Sequence, residues 1–237
     1  MKIKKLFNYF NLAEKLIWSI SVVVIVASFF LFEDDGYLTL VASLIGVTSL
    51  IFCAKGNPFG QVLMVIFAII YSIISHSFKY YGEMITYLGM SLPMAIFALV
   101  SWLRNPFNDN KSEVRVNKIS RKETVFMFAL ACVVTIVFYF ILKYFNTANL
   151  IPSTFSVATS FLAAYLVFRR SPYFALAYGL NDVVLIFMWV LAALKDVSYI
   201  SVIICFVVFL VNDLYGFINW IKIQKRQEKA IKKLLQY

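Results

Sequence analysis

Tyr173 to Trp220 reads YFALAYGLNDVVLIFMWVLAAL, KDVS, YISVIICFVVFLVNDLYGFINW, and the rest of the chain is organised around it. Each of the two apolar runs is long enough, as helix, to cross a bilayer core of about 30 Å. Each also carries an Asn-Asp pair: Asn181-Asp182 and Asn212-Asp213. A carboxylate facing lipid at the centre of a span costs about 2.5 kcal/mol or more, so these acids must face protein or water. Helical spacing sets Tyr178, Asp182, Leu185 and Trp189 on one stripe, and Asn212, Tyr215, Gly216 and Asn219 on another. Polar and aromatic groups thus share an inward face on each helix, as in a ligand site.

The remainder of the 237 residues is of the same kind: 62% hydrophobic, 18% aromatic and only 14% charged. Soluble domains average about 25% charged residues, and here the charges are confined to loops between long apolar runs. The expectation is an all-α polytopic membrane protein. The net charge of +10 does not imply nucleic acid, because the basic residues sit in particular loops and tails rather than on one face. Cys53, Cys132 and Cys205 fall in separate apolar runs, without the spacing of a disulfide framework or a zinc site. The basic start MKIKKLFNYFNLAEK leads into a full span and lacks a small-residue cleavage site, so a membrane helix is expected rather than a removed signal.

Eight spans can be drawn: 16–32, 37–54, 61–76, 83–103, 125–144, 154–168 and the two in the opening stretch. The first ends in an acidic turn, Glu33-Asp34-Asp35-Gly36, suited to the outer face. With both termini cytoplasmic, 19 of the 22 Lys and Arg fall on the cytoplasmic side, and only Lys79, Lys143 and Lys195 fall outside. That asymmetry fixes orientation and an even number of spans. Spans two to four and six to eight also resemble each other. Each set passes a basic turn ending in Pro58 or Pro172 and closes at Trp102 or Trp220, 44 and 48 residues later. Two same-facing copies require one linking helix, which gives an arrangement of 1+3+1+3, and parallel repeats of this kind bind substrate near midplane at their interface. The units are 1–36 (N-terminus and extra first span), 37–103 (first three-helix bundle), 104–153 (basic loop and linker helix), 154–221 (second bundle) and 222–237 (basic tail). Pro93 interrupts the fourth span, and Pro58, Pro93 and Pro172 are the expected hinges.

Each polar group also has a structural reading. Asp182 and Asp213 can line a pathway, or can bond neighbouring helices together. Trp189, Tyr178, Tyr71, Tyr87, Trp102 and Trp220 form the aromatic set; Trp189 lies deeper, on the Asp182 stripe, and can stack a flat heterocycle, whereas Trp102 and Trp220, beside basic loops, suit an interfacial belt equally well. Gln61, next to the Pro58 break, can bond substrate or satisfy freed backbone. His76 stands without a second metal ligand. No GxxxxGK[ST] phosphate loop, Gly-x-Ser-x-Gly elbow or His-Glu-x-x-His motif is present, so neither ATP hydrolysis nor those catalytic classes are supported by the sequence.

The segments YYGEMITYLGMSLPMAIFALVSWLRNP, VRVNKISRKE, LNDVVLIFMWVLAAL and NDLYGFINW resemble the PnuC family of bacterial vitamin transporters, over about residues 39–220. The resemblance implies a fold related to the SWEET sugar transporters and facilitated diffusion of nicotinamide riboside without a cofactor. It also implies capture of the imported nucleoside by a cytoplasmic kinase; a homo-oligomer such as a trimer stands among the expected partners. The implied site lies between the bundles and best matches Trp102, Asp182, Trp189, Asn212 and Asn219, to which the residue reading adds Gln61, Tyr87 and Tyr178. The family's paired-Trp pattern is reduced here to Trp102 alone, which leaves thiamine or another vitamin open as cargo. A membrane-embedded enzyme or a non-transporting scaffold is the alternative class.

Overall fold

The computed structural model describes residues 9–32, 37–77, 81–147 and 149–234. The acidic turn at 33–36, and Lys2, Lys4, Lys5 and Lys79 of the charge asymmetry, lie outside the described residues. Eight helices among those described are long and apolar enough to cross a membrane. They are α1 (Leu12–Phe32), α2 (Tyr37–Ala54), α3 (Phe59–Ser77), the interrupted fourth span formed by α4 (Tyr81–Thr86) and α5 (Leu92–Leu103), α6 (Arg121–Tyr144), α7 (Leu150–Phe168), α8 (Phe174–Ala193) and α9 (Ile200–Leu234).

Capping fixes where several of them begin. Asn11 and Glu14 form a reciprocal cap at α1: Glu14 N–H donates to Asn11 Oδ1, and Asn11 N–H to Glu14 Oε2, both at 2.8 Å. Ser120 Oγ accepts from the Glu123 N–H and opens α6. Between α4 and α5 the chain takes one π turn, Tyr87–Ser91, in which the Leu92 N–H reaches back to Tyr87 O. Pro93, two residues on, has no N–H to give, and the wider turn accommodates the gap.

Six helices close into a ring, each packed on the next: α2 on α3, α3 on α5, α5 on α7, α7 on α8, α8 on α9, and α9 on α2. Helix α1 stands outside this ring against α2 and α9, and α6 stands outside it against α7. The outer face of α6 is bare hydrocarbon, with Val125, Val133, Ile136 and Phe140 exposed, as a lipid-facing helix requires. Small residues permit the closest approaches. A Cβ on Gly60 would lie 2.5 Å from Cys53 Sγ and 2.8 Å from its backbone nitrogen, so α2 and α3 can turn back on each other only with glycine there.

Two features of the basic end were not expected. The 104–120 connection contains a hairpin, β1 (Pro106–Phe107) and β2 (Asn110–Val114), turned at Asn108 and Asp109, both with positive φ of 48° and 58°. An Asn-Asp pair tolerates that left-handed turn. Helix α9 also continues without a break through the basic tail to Leu234, about 52 Å in all.

Candidate functional site

The ring encloses a cavity of about 620 Å3. It reaches the helix ends that bear Thr39, Ser75, Asp196 and Tyr199, and extends to Gln61, Ala98, Val167 and Asp213 towards the other, basic end. The π turn shapes one wall by bringing Tyr87, Met90 and Ser91 to the cavity. Tyr87 lies 5.0 Å from Tyr71, which lies 4.7 Å from Phe67, so this wall is a row of rings. Across the cavity Trp189 of α8 rests against Tyr199 at 5.2 Å.

Acids and amides meet on the walls that α3, α8 and α9 contribute. Asp182 and Asp213, 5% and 4% exposed, hydrogen-bond to each other from α8 and α9, and Asp182 Oδ2 has no partner. Asn181 Oδ1 is held by the hydroxyls of Thr159 at 2.7 Å and Ser160 at 3.0 Å. Gln61 Nε2 donates to Cys53 Sγ at 3.1 Å. Among the described residues no Lys, Arg or His lines the cavity, whereas Glu83, Asp182, Asp213 and, at the mouth, Asp196 do. At that mouth the Ser198 backbone N–H, 2.9 Å from Oδ1, holds the Asp196 carboxyl below its ordinary value and keeps it charged.

Five of the residues expected from sequence line this cavity: Gln61, Tyr87, Tyr178, Asp182 and Trp189. Three lie elsewhere. Trp102 is fully buried at the basic end and donates to Val167 O. Asn212 points away from the cavity and donates to Ser21 Oγ of α1 at 2.9 Å, because it sits about 100° around the helix from Asp213. Asn219, on the same stripe as Asn212, donates to Ala54 O at 2.8 Å. Pro58 and Pro172 sit in the basic turns, and Pro93 follows the π turn. Ser153, Ser156 and Ser160 of α7 also line the cavity, and their spacing of three and four was a helical stripe readable in the sequence. Met90 and Ser91 had no such signal, because the π turn shifts them off the regular helical register. Among the described residues no group of three or more His, Cys, Asp or Glu is placed to hold a metal ion.

A ring of membrane helices around a cavity with acidic, amide and aromatic walls defines the carrier class of membrane proteins. Comparison with known proteins agrees. Residues 36–222 match the model of the nicotinamide mononucleotide transporter family, and the chain belongs to that family. It is 26% identical over 215 residues to the nicotinamide riboside transporter PnuC of Neisseria mucosa, covering 89% of this chain and 81% of that one. It is 24% identical over 194 residues to the PnuC of Haemophilus influenzae, covering 81% and 82%. A crystal structure of the vitamin B3 transporter PnuC superposes with a TM-score of 0.78 at 23% identity, covering 92% of this chain and 94% of that one, which shows the shared fold.

Proposed function

We propose that this protein carries nicotinamide riboside into a bacterial cell by facilitated diffusion, binding it in the cavity between residues 37–103 and 154–221. The family's description names the mononucleotide and its two curated relatives name the riboside, and the two cargoes differ by a phosphate. The lining supports the riboside: carboxyl groups and, among the described residues, no basic side chain suit a pyridinium cation and leave a phosphate without a counter-charge. The rings of Tyr87 and Trp189 suit the flat heterocycle, and Asp182, Gln61 and Asn181 suit ribose hydroxyls and the carboxamide.

The grouping of spans as 1+3+1+3 is part of this reading, supported by a ring built from two sets of three spans with α1 and α6 outside it. So is the orientation: the basic end, rich in Lys and Arg, faces the cytoplasm, where a kinase would trap the nucleoside. Movement between bundles would turn about Pro58, Pro93 and Pro172.

Calorimetry on the detergent-purified protein tests the cargo. Nicotinamide riboside binds, its 5′-phosphate does not, and thiamine, also a flat cation, binds more weakly. Equal affinity for riboside and mononucleotide overturns the argument from charge. Uptake into proteoliposomes containing this protein alone separates a carrier from an enzyme or scaffold.

A further inference from the structure

We infer that Trp102 and Trp220 form the gate that closes the basic end of the cavity, each tryptophan locking a helix of the opposite half of the ring. The inference rests on the carrier reading above, but its geometry is independent of cargo. Trp102 Nε1–H donates to Val167 O at 2.9 Å, and Trp220 Nε1–H donates to Cys53 O at 2.8 Å. The residue before each tryptophan repeats the exchange one step along: Ser101 Oγ–H donates to Phe168 O at 2.7 Å, and Asn219 Nδ2–H to Ala54 O at 2.8 Å.

All four acceptors belong to the last turns of α2 and α7; Cys53 O and Val167 O also accept from the turn N–H groups of Gly56 and Arg170, so each tryptophan adds a further bond to a carbonyl at a helix end. Both helices are followed alike, two residues beyond the end, by a residue with positive φ, Gly56 at 67° and Arg170 at 55°, and two residues after that by Pro58 and Pro172. The bonds are therefore exchanged between halves: the last helix of 37–103 caps the first helix of 154–221, and the reverse.

The position is that of a plug. Ala98 and Asp213 are cavity residues, and the two tryptophans lie one to two helical turns beyond them towards the basic end. Their rings meet at 5.4 Å with Phe174 beneath, and neither is exposed at all. The 106–117 segment lies across the same place: Val114 N–H donates to Gly56 O and Asn117 N–H to Arg170 O, tying both turns. Arg170 joins it, donating to Ser101 Oγ and to Arg115 O. A solute leaving by this end must part α5 from α7 and α9 from α2, breaking these contacts together. The opposite end of the cavity, at Asp196, Ser198 and Tyr199, is already a mouth.

Pulsed electron–electron spin-resonance distances on the full chain test the gate. One label pair, Phe59→Cys with Tyr173→Cys, reports the basic end, and a second, Ile73→Cys with Val190→Cys, reports the mouth. All four sites are exposed, and Cys132→Ser removes the exposed native thiol. Trp102→Phe and Trp220→Phe keep a ring and delete one donor, so each raises the ratio of long to short basic-end distances about fivefold, the equivalent of one net hydrogen bond. The mouth pair shortens in the same samples, a coupled movement that mere loss of packing would not give. Asn219→Ala, which deletes one half-buried bond, carries the same expectation if a tryptophan variant fails to fold. Unchanged distances at the basic end in the folded variants overturn the proposal. Distances that respond in a protein that does not bind nicotinamide riboside keep the gate and reject the cargo.

Discussion

Replacing both acids by amides, Asp182→Asn together with Asp213→Asn, isolates the charge of the candidate site from its shape. The two carboxyls bond each other and so share a proton, while the amides are nearly isosteric and can also bond each other, so the fold persists and the one negative charge the pair can carry is lost. A pyridinium about 5 Å from the carboxylate is attracted by about 3 kcal/mol at an effective dielectric of about 20, and by about 0.8 kcal/mol with the screening of bulk water. The cavity is open to water at its mouth, which places the contribution between these limits, at about 1.4 kcal/mol or more. Affinity for nicotinamide riboside should therefore fall at least about tenfold. The reduced riboside, whose dihydropyridine ring carries no charge, is the control: its affinity should change by less than about threefold. Titration calorimetry of both ligands against wild type and the double variant measures the difference directly. Equal losses for the charged and uncharged ligands would refute the electrostatic reasoning and leave Asp182 and Asp213 hydrogen-bonding or structural residues.

Trp189→Ala removes the ring packed on Tyr199 and should weaken riboside binding by about 1 kcal/mol in the same calorimetric assay, without lowering the melting temperature of the purified protein. Gly60→Ala places a methyl group against Cys53 Sγ and its backbone nitrogen, and should destabilise by about 1–3 kcal/mol, read as a fall in melting temperature in detergent. Glu14, 1% exposed, accepts from Lys55 Nζ at 3.0 Å and from Tyr215 OH at 3.2 Å. Glu14→Ala leaves both without their acceptor and should lower thermal stability by about 2 kcal/mol, which Glu14→Gln recovers in part.

The spans were legible because lipid allows only long apolar runs bounded by charge; α2 and α7 end in the structure where hydropathy ends them in the sequence. The facing of individual side chains was less so. In a helix that is apolar all round, the polar residues alone mark its faces, and an Asn-Asp pair marks two faces about 100° apart. Asp213 turned to the cavity and Asn212 to α1, a choice made by the packing of α1, which periodicity cannot report. The Trp102 assignment met a similar difficulty: a tryptophan beside a basic loop suits a lipid interface, a ligand or a plug, and only the position of the Val167 carbonyl distinguishes them. The hairpin at Asn108-Asp109 carried a readable turn signal, whereas the π turn at Tyr87 carried none beyond Pro93.

Helix α9 has a consequence for how the two ends of the molecule communicate. On one unbroken rod it bears Phe209 against Gly46, Asp213 at the cavity, Trp220 among the buried rings, and Gln227, which bonds both Val114 and Val116 of the 106–117 segment. A stiff rod cannot move at one of these stations without displacing the others. A small tilt provoked by a guest at Asp213 would be magnified with distance along the rod, so the news of occupancy would reach the 106–117 segment as leverage.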